Sequence, residues 1–156
     1  MASVISASYS DATGAIGVLE LQLNVMGHDT LIVHIPDENA ESLIKAFEHP
    51  SFPEDVGLII AESNAHGDAM IPEIRAAAEK AFGRIPPVIG IAPSGNRLHG
   101  ERMQDEGATE ALVLLLGSHD VLDLFREAVR RYVPDVPDRE GQEYRLDSKT
   151  GIALVL

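Results

Sequence analysis

An α/β architecture with a parallel sheet, doubly wound in the strand order 2-1-3-4-5, is the fold this sequence predicts. Three observations carry it. Apolar runs of strand length alternate along the chain with segments whose apolar residues recur at helical spacing. The run "DVGLIIAES" is apolar nearly throughout, as a strand covered on both faces must be. Gly and Pro punctuate the ends of the helical segments, where a helix needs a stop or a first turn.

The first strand is "ASVISASYS". "DATGAIGVLELQLNVMG" follows as a helix, with Ile16, Leu19, Leu23 and Met26 on one stripe and Gly27 as its stop. "DTLIVHI" begins the second strand at Asp29. "DENAESLIKAFEHP" supplies the second helix, with Asp37 as its cap and Pro50 past its end. After the third strand, the loop "NAHGDAM" leads to "IPEIRAAAEKAFG", in which Pro72 suits a first turn and Gly83 an end. "IPPVIGIAPSG" is the fourth strand and "NRLHGERMQDEG" a short, Gly-interrupted helix. "TEALVLLLG" is the fifth strand. "SHDVLDLFREAVRRYV" closes the unit as an amphipathic helix striped by Val121, Leu124, Phe125 and Val129. Five βα units within residues 1–133 make the flavodoxin-like order the expectation. Residues 134–156 differ in texture: "PDVPDREGQ" reads as a linker, and "EYRLDSKTGIALVL" as two short strands around a turn, a hairpin or strand extension placed on a sheet edge.

Composition removes several function classes. A formal charge of −13 argues against nucleic acid, whose phosphates require clustered cations. The basic cluster Arg126, Arg130 and Arg131 reads first as a solvated helix face. The absence of Cys excludes disulfides, thiolate metal sites and Cys nucleophiles, and fits a cytoplasmic protein. No apolar run reaches the length of a membrane span, and the first residues carry no basic and apolar leader pattern.

Ligands of open parallel sheets bind beyond the carboxyl ends of the strands. The residues delivered there are Ser10 and Asp11, then Glu62, Ser63 and Asn64, then Ala92, Pro93, Ser94 and Gly95, and finally Gly117, Ser118 and His119. Asp11 and Glu62 offer two carboxylates to a hard cation such as Mg²⁺, but two acids are few for such a site, and they read first as helix caps or solvated acids.

The order of elements, "VMGHDTL" after the first helix, the "IPPVIGIA" strand and "DEGATEALV" before the last helix resemble the receiver domain of bacterial response regulators. The resemblance covers roughly residues 3–133. It implies an acidic Mg²⁺ pair after strand one, a phosphorylated Asp after strand three, a hydroxyl after strand four and a Lys after strand five. Carried over, the acidic pair becomes Ser10 and Asp11, and the phospho-acceptor position falls on Glu62. The hydroxyl position falls on Ala92, with Ser94 two residues late, and the Lys position on or beside Leu114. No Asp occurs between Asp55 and Asp68, and no Lys between Lys80 and Lys149, so no local realignment restores the missing groups. Phosphoryl transfer to a carboxylate relies on charge neutralisation by a metal and a cation. The expectation is therefore a degenerate receiver, a pseudo-receiver that works by protein–protein contact without Asp phosphorylation, with no cofactor beyond weak Mg²⁺ at Asp11 and Glu62. The resemblance also implies a protein partner or a homodimer, met through the face of the fourth helix, fifth strand and fifth helix, with Arg102, Met103, Phe125, Arg126 and Arg130 as interface residues.

Two alternatives stand beside it. "SDATGAIG" and "IGIAPSG" resemble the loops of cobalamin-binding domains, but the loop after strand one holds Thr13 and Gly14 and no His occurs before His28. A small-ligand site on the same edge stays open. For a small hydrolase, the pairs His66 with Asp68, His99 with Ser94, and His119 with Asp120 sit in suitable loops. "APSGN" is not the G-x-S-x-G elbow, and no H-E-x-x-H motif occurs, so catalysis is not expected.

Overall fold

The computed structural model describes residues 3–8, 15–34, 44, 47–48, 55–64, 66–93, 95–114, 120–146 and 153–155. Its strands are β1 (Ser3–Ser8), β2 (Thr30–His34), β3 (Val56–Glu62), β4 (Val88–Ala92), β5 (Glu110–Val113), β6 (Glu143–Leu146) and β7 (Ala153–Val155). The helices are α1 (Ala15–Val25), α2 (Ile71–Phe82), α3 (Arg97–Asp105) and α4 (Val121–Arg130). The second helix expected from the sequence lies outside the described residues except for Ile44, Phe47 and Glu48, of which Glu48 N–H donates to Ile44 O at 3.1 Å.

One sheet holds all seven strands in the order β5-β4-β3-β1-β2-β6-β7. Its first five members reproduce the predicted 2-1-3-4-5 order read from the other edge, and all pair parallel. The C-terminal strands extend the sheet past β2: β6 runs parallel to β2, Thr30 opposite Glu143, and β7 returns antiparallel to β6.

The two-residue alternation of a strand sorts the sheet's side chains into two cores. Ile5, Ile59, Ala61, Val88 and Ala92 meet Ile71, Ile74, Ala77 and Ala78 of α2 and Met103 of α3. Val4, Leu58, Ile60, Ile89 and Ile91 meet Leu19 and Leu23 of α1 and Val121, Phe125, Ala128 and Val129 of α4. That double cover is why β3 can be apolar as far as Ala61: Val56, Leu58, Ile59, Ile60 and Ala61 are all buried. Burying a side chain such as Phe125 or Leu58 contributes roughly 1.5–3 kcal/mol.

Local sequence explains the helix ends. Pro72 lies in the first turn of α2, where its missing N–H costs nothing, and Gly83 ends the helix by donating its N–H to Glu79 O at 2.9 Å. Asn96 caps α3 by accepting from Leu98 N–H at 3.0 Å. Gly100 does not interrupt α3, as the sequence had suggested. It lets the helix lie close on β5, where a Cβ would stand 2.6 Å from Val113 Cγ2. Phe47 stacks on Phe82 with ring centroids 5.8 Å apart. Among the described residues no helix is long and apolar enough to cross a membrane.

Candidate functional site

Because β1 to β5 are parallel, their carboxyl ends share one edge, and that edge is where a ligand would sit. Ser10, Asp11, Ser94 and residues 115–119 lie outside the described residues, so the expected pairing of Asp11 with Glu62 is not part of what the structure describes. Glu62, Ser63, Asn64, Ala92, Pro93, Gly95 and Leu114 are described.

Glu62 ends β3, in register with Ile91, and is only 7% exposed. It has an interaction partner within the chain. By strand alternation it continues the row of Leu58 and Ile60 on the α1/α4 face. Leu114 packs in that same core at 2% exposure. Ala92 is fully buried in the opposite core, among the α2 and α3 residues. The carried-over positions therefore divide: Glu62 and Leu114 belong to one face and Ala92 to the other. Backbone joins two of them across strands, since Leu114 N–H donates to Ala92 O at 3.1 Å.

The next residues form an ordered loop. Ser63 N–H donates to Ile91 O at 2.9 Å, while its hydroxyl is buried and has no hydrogen-bond partner among the described residues. Asn64 Oδ1 accepts from His66 N–H at 2.9 Å and Asp68 N–H at 3.0 Å, and Asn64 N–H donates to Asp68 O at 2.8 Å. An amide side chain serving two backbone donors holds a turn without regular structure. Asp68 Oδ1 in turn accepts from Met70 N–H at 3.0 Å, which supports Met70 in a left-handed conformation (φ 53°) at the start of α2.

α3 lies over this loop. Gly67, at φ +85°, admits the ring of His99, whose Cδ2 would stand 2.5 Å from a Cβ there. Arg102 Nη1 donates to His66 O at 3.3 Å, and its guanidinium lies 4.0 Å from Asp68 Oδ1. Asn96 Nδ2 is 3.3 Å from His99 Nε2. His66 and Asp68 thus belong to a turn braced by backbone bonds. Among the described residues no group of three or more acidic or His side chains is arranged to hold a metal ion.

The expected interface set needs a correction. Met103 and Phe125 are both fully buried, Met103 against Gly90 of β4 and Phe125 within the α1/α4 core. A side chain that the fold already encloses offers nothing to a partner. Arg102, Arg126 and Arg130 do reach solvent, each with a partner inside the chain. Arg102 pairs with Glu106 at 2.6 Å, Arg126 donates through Nε to Gln22 Oε1 at 2.9 Å, and Arg130 meets Asp135 at 3.1 Å. Arg131 binds Glu110 of β5, which also accepts from the Tyr132 hydroxyl at 2.9 Å. Among the described residues, exposed apolar side chains also lie elsewhere, at Val18, Leu21 and Val25 of α1.

No protein-family profile and no curated protein sequence matches the chain. Solved structures do. The chain is similar to the receiver domain of a sensor histidine kinase from Pseudomonas aeruginosa PAO1, crystallised with a magnesium ion coordinated in its active-site cleft. That match has a TM-score of 0.56 and 17% sequence identity, and covers 85% of this chain and 98% of that one. It is also similar to a CheY-like protein, TadZ, from the same organism, with a TM-score of 0.50, 15% identity, and coverage of 88% and 100%. At these identities the likeness speaks to backbone architecture. The strand order, the helices on both faces and the position of β3 at the centre of the edge agree with it, and the chain has the CheY-like receiver fold.

Proposed function

We propose that this chain is a cytoplasmic signalling module that uses the receiver fold for protein–protein contact, without phosphorylation of an aspartate and without catalysis of its own. One observation carries the reading. The residue that ends β3 is Glu62, 93% enclosed, and Ala92 and Leu114 at the neighbouring strand ends are enclosed as well. A phospho-acceptor must meet a donor, a metal and a countercharge in the open. Here a Leu stands where the resemblance places the countercharge, and no Lys lies between Lys80 and Lys149 to replace it.

Residual Mg²⁺ binding by Asp11 and Glu62 fits this reading as a weak affinity, since two carboxylates are few for a hard cation. The histidine-kinase receiver that shares the fold was crystallised with magnesium in its cleft. The partner is a protein, or a second copy of this chain, and nucleic acid is disfavoured by the net charge of −13. The surface offered for that contact is the α3, β5 and α4 face, with Arg102, Arg126 and Arg130 and without Met103 and Phe125.

An amide ¹H–¹⁵N NMR titration with Mg²⁺ followed by beryllofluoride tests the proposal. The expected result is no shift beyond weak Mg²⁺ effects near Asp11 and Glu62. Saturable beryllofluoride shifts centred on Glu62 and Ala92 would overturn it. Sedimentation tests the second copy separately: a monomer at tens of micromolar removes the homodimer and leaves a different protein as the partner.

A further inference from the structure

At the opposite pole of the sheet, the turn between α1 and β2 is covered by the segment that leaves α4. Residues 131–142 cross it as a strap before entering β6. The seam is bonded at each step. Val136 N–H donates to Met26 O at 2.9 Å, Gly141 N–H to Asn24 O at 2.9 Å, and Thr30 N–H to Gln142 O at 2.8 Å. Asp29 Oδ1 accepts from Gln142 N–H at 2.9 Å and from the Arg139 guanidinium at 2.6 Å. The packing leaves no slack, because a Cβ on Gly27 would overlap Val136 O and one on Gly141 would overlap the carbonyl of His28.

His28 lies under this strap, 1% exposed, and neither ring nitrogen is hydrogen-bonded among the described residues. A neutral imidazole tolerates that position. An imidazolium carries two N–H donors and a full charge, and burying it without acceptors is costly. The charged groups that face it are Asp29 at the entry to β2 and Asp135 and Arg139 on the strap. Asp29 is already engaged by Arg139 and the Gln142 N–H, and Asp135 by Arg130. Burial outweighs the two acids, with Arg139 adding to it, and holds the imidazole below its ordinary value.

We propose that His28 is a pH-sensitive latch for the C-terminal extension: neutral, it keeps residues 131–142 seated and β6 paired to β2; protonated, it unseats the strap and frees the β2 edge. The strap is the only covalent path by which α4 reaches β6, and β6 covers the hydrogen-bonding edge of β2 from Thr30 to Val33. Losing the strap's register loosens that pairing, and a bared strand edge accepts another strand. The sign follows from proton linkage. The opened state takes up its proton near the ordinary His value of about 6.5, the latched state only at lower pH. The latch is therefore intact above that value and weakens as pH falls below it, by at most about tenfold in the opening equilibrium per pH unit.

The test is amide hydrogen exchange by NMR on the full chain between about pH 7.5 and about pH 5, the range in which His changes charge, corrected for intrinsic exchange rates. Protection at Val136, Gly141 and Thr30 is expected to fall with acidification relative to Ile59 and Ser63 in the sheet centre. In His28→Met the fall should vanish. The ¹³Cε1 resonance of His28 in the unaltered protein supplies a second readout that does not depend on the variant folding. It should titrate in step with the seam amides. Seam protection that tracks the sheet centre across the range overturns the proposal. So does an identical fall in His28→Met, or a ring that titrates while the Val136 and Gly141 amides stay still.

Discussion

Gly90 and Met103 form a contact whose energetics can be checked by a double-mutant cycle, and the contact decides how α3 is seated over the β3–α2 loop. A Cβ at Gly90 would stand 2.6 Å from Met103 Sδ and 3.2 Å from Met103 Cβ. Met103 is fully buried, so Met103→Ala removes packed atoms and leaves a void, at a cost of about 2–5 kcal/mol. Gly90→Ala pushes a methyl into occupied space and costs about 1–3 kcal/mol as overpacking. The two changes compensate, because the new methyl enters the volume that the thioether vacates. The double variant should be more stable than the sum of the singles predicts, by about 1–3 kcal/mol. Urea unfolding followed by circular dichroism reads all four corners of the cycle, with an unchanged m-value confirming that only stability has moved. Additivity within about 0.5 kcal/mol would refute the contact. A Met103→Ala cost that small would also return Met103 to the surface as an interface residue.

Gly27 combines φ +91° with Val136 Cβ at 2.9 Å from any added Cβ. Gly27→Ala should therefore cost about 2–4 kcal/mol, from left-handed strain plus a lost strap bond. For a domain of this size that is a fall of roughly 5–15 °C in Tm. An unchanged Tm would mean that the strap does not rest on Gly27. Asn64→Ala deprives two backbone N–H groups of their acceptor and should destabilise by about 1–3 kcal/mol, with Asn64→Asp much milder; equal losses for the two would contradict the turn. The Tyr132 hydroxyl is raised above its ordinary value by burial and by its bond to Glu110. Its contribution to stability is complete below about pH 10 and is lost as pH rises through the higher folded value. The tyrosinate absorbance of the protein minus that of Tyr132→Phe should titrate above 10, and a midpoint at the free-tyrosine value would count against the Glu110 contact.

Local sequence signals account for much of this protein. The length and apolar character of "DVGLIIAES" specify a strand covered on both faces, and Gly83 stops α2 where the chain must turn. The winding of five βα units follows from the alternation of strand and helix periods together with the right-handed crossover rule. Phe125 was legible too: it stands four residues from both Val121 and Val129, so the stripe that makes α4 amphipathic already places it inside. The helix's own periodicity, and not its position in a family pattern, decides that Phe125 faces the core. Tertiary structure alone decided the rest. Which strand face receives Glu62 and which receives Ala92 depends on register, which a one-residue slip would invert. Enclosure of Met103 requires the helix to fold back onto a glycine of the strand before it, and the burial of His28 requires a strap more than a hundred residues further along the chain. No local pattern encodes such meetings, because the free energy that holds them comes from surfaces that exist only once the sheet has formed.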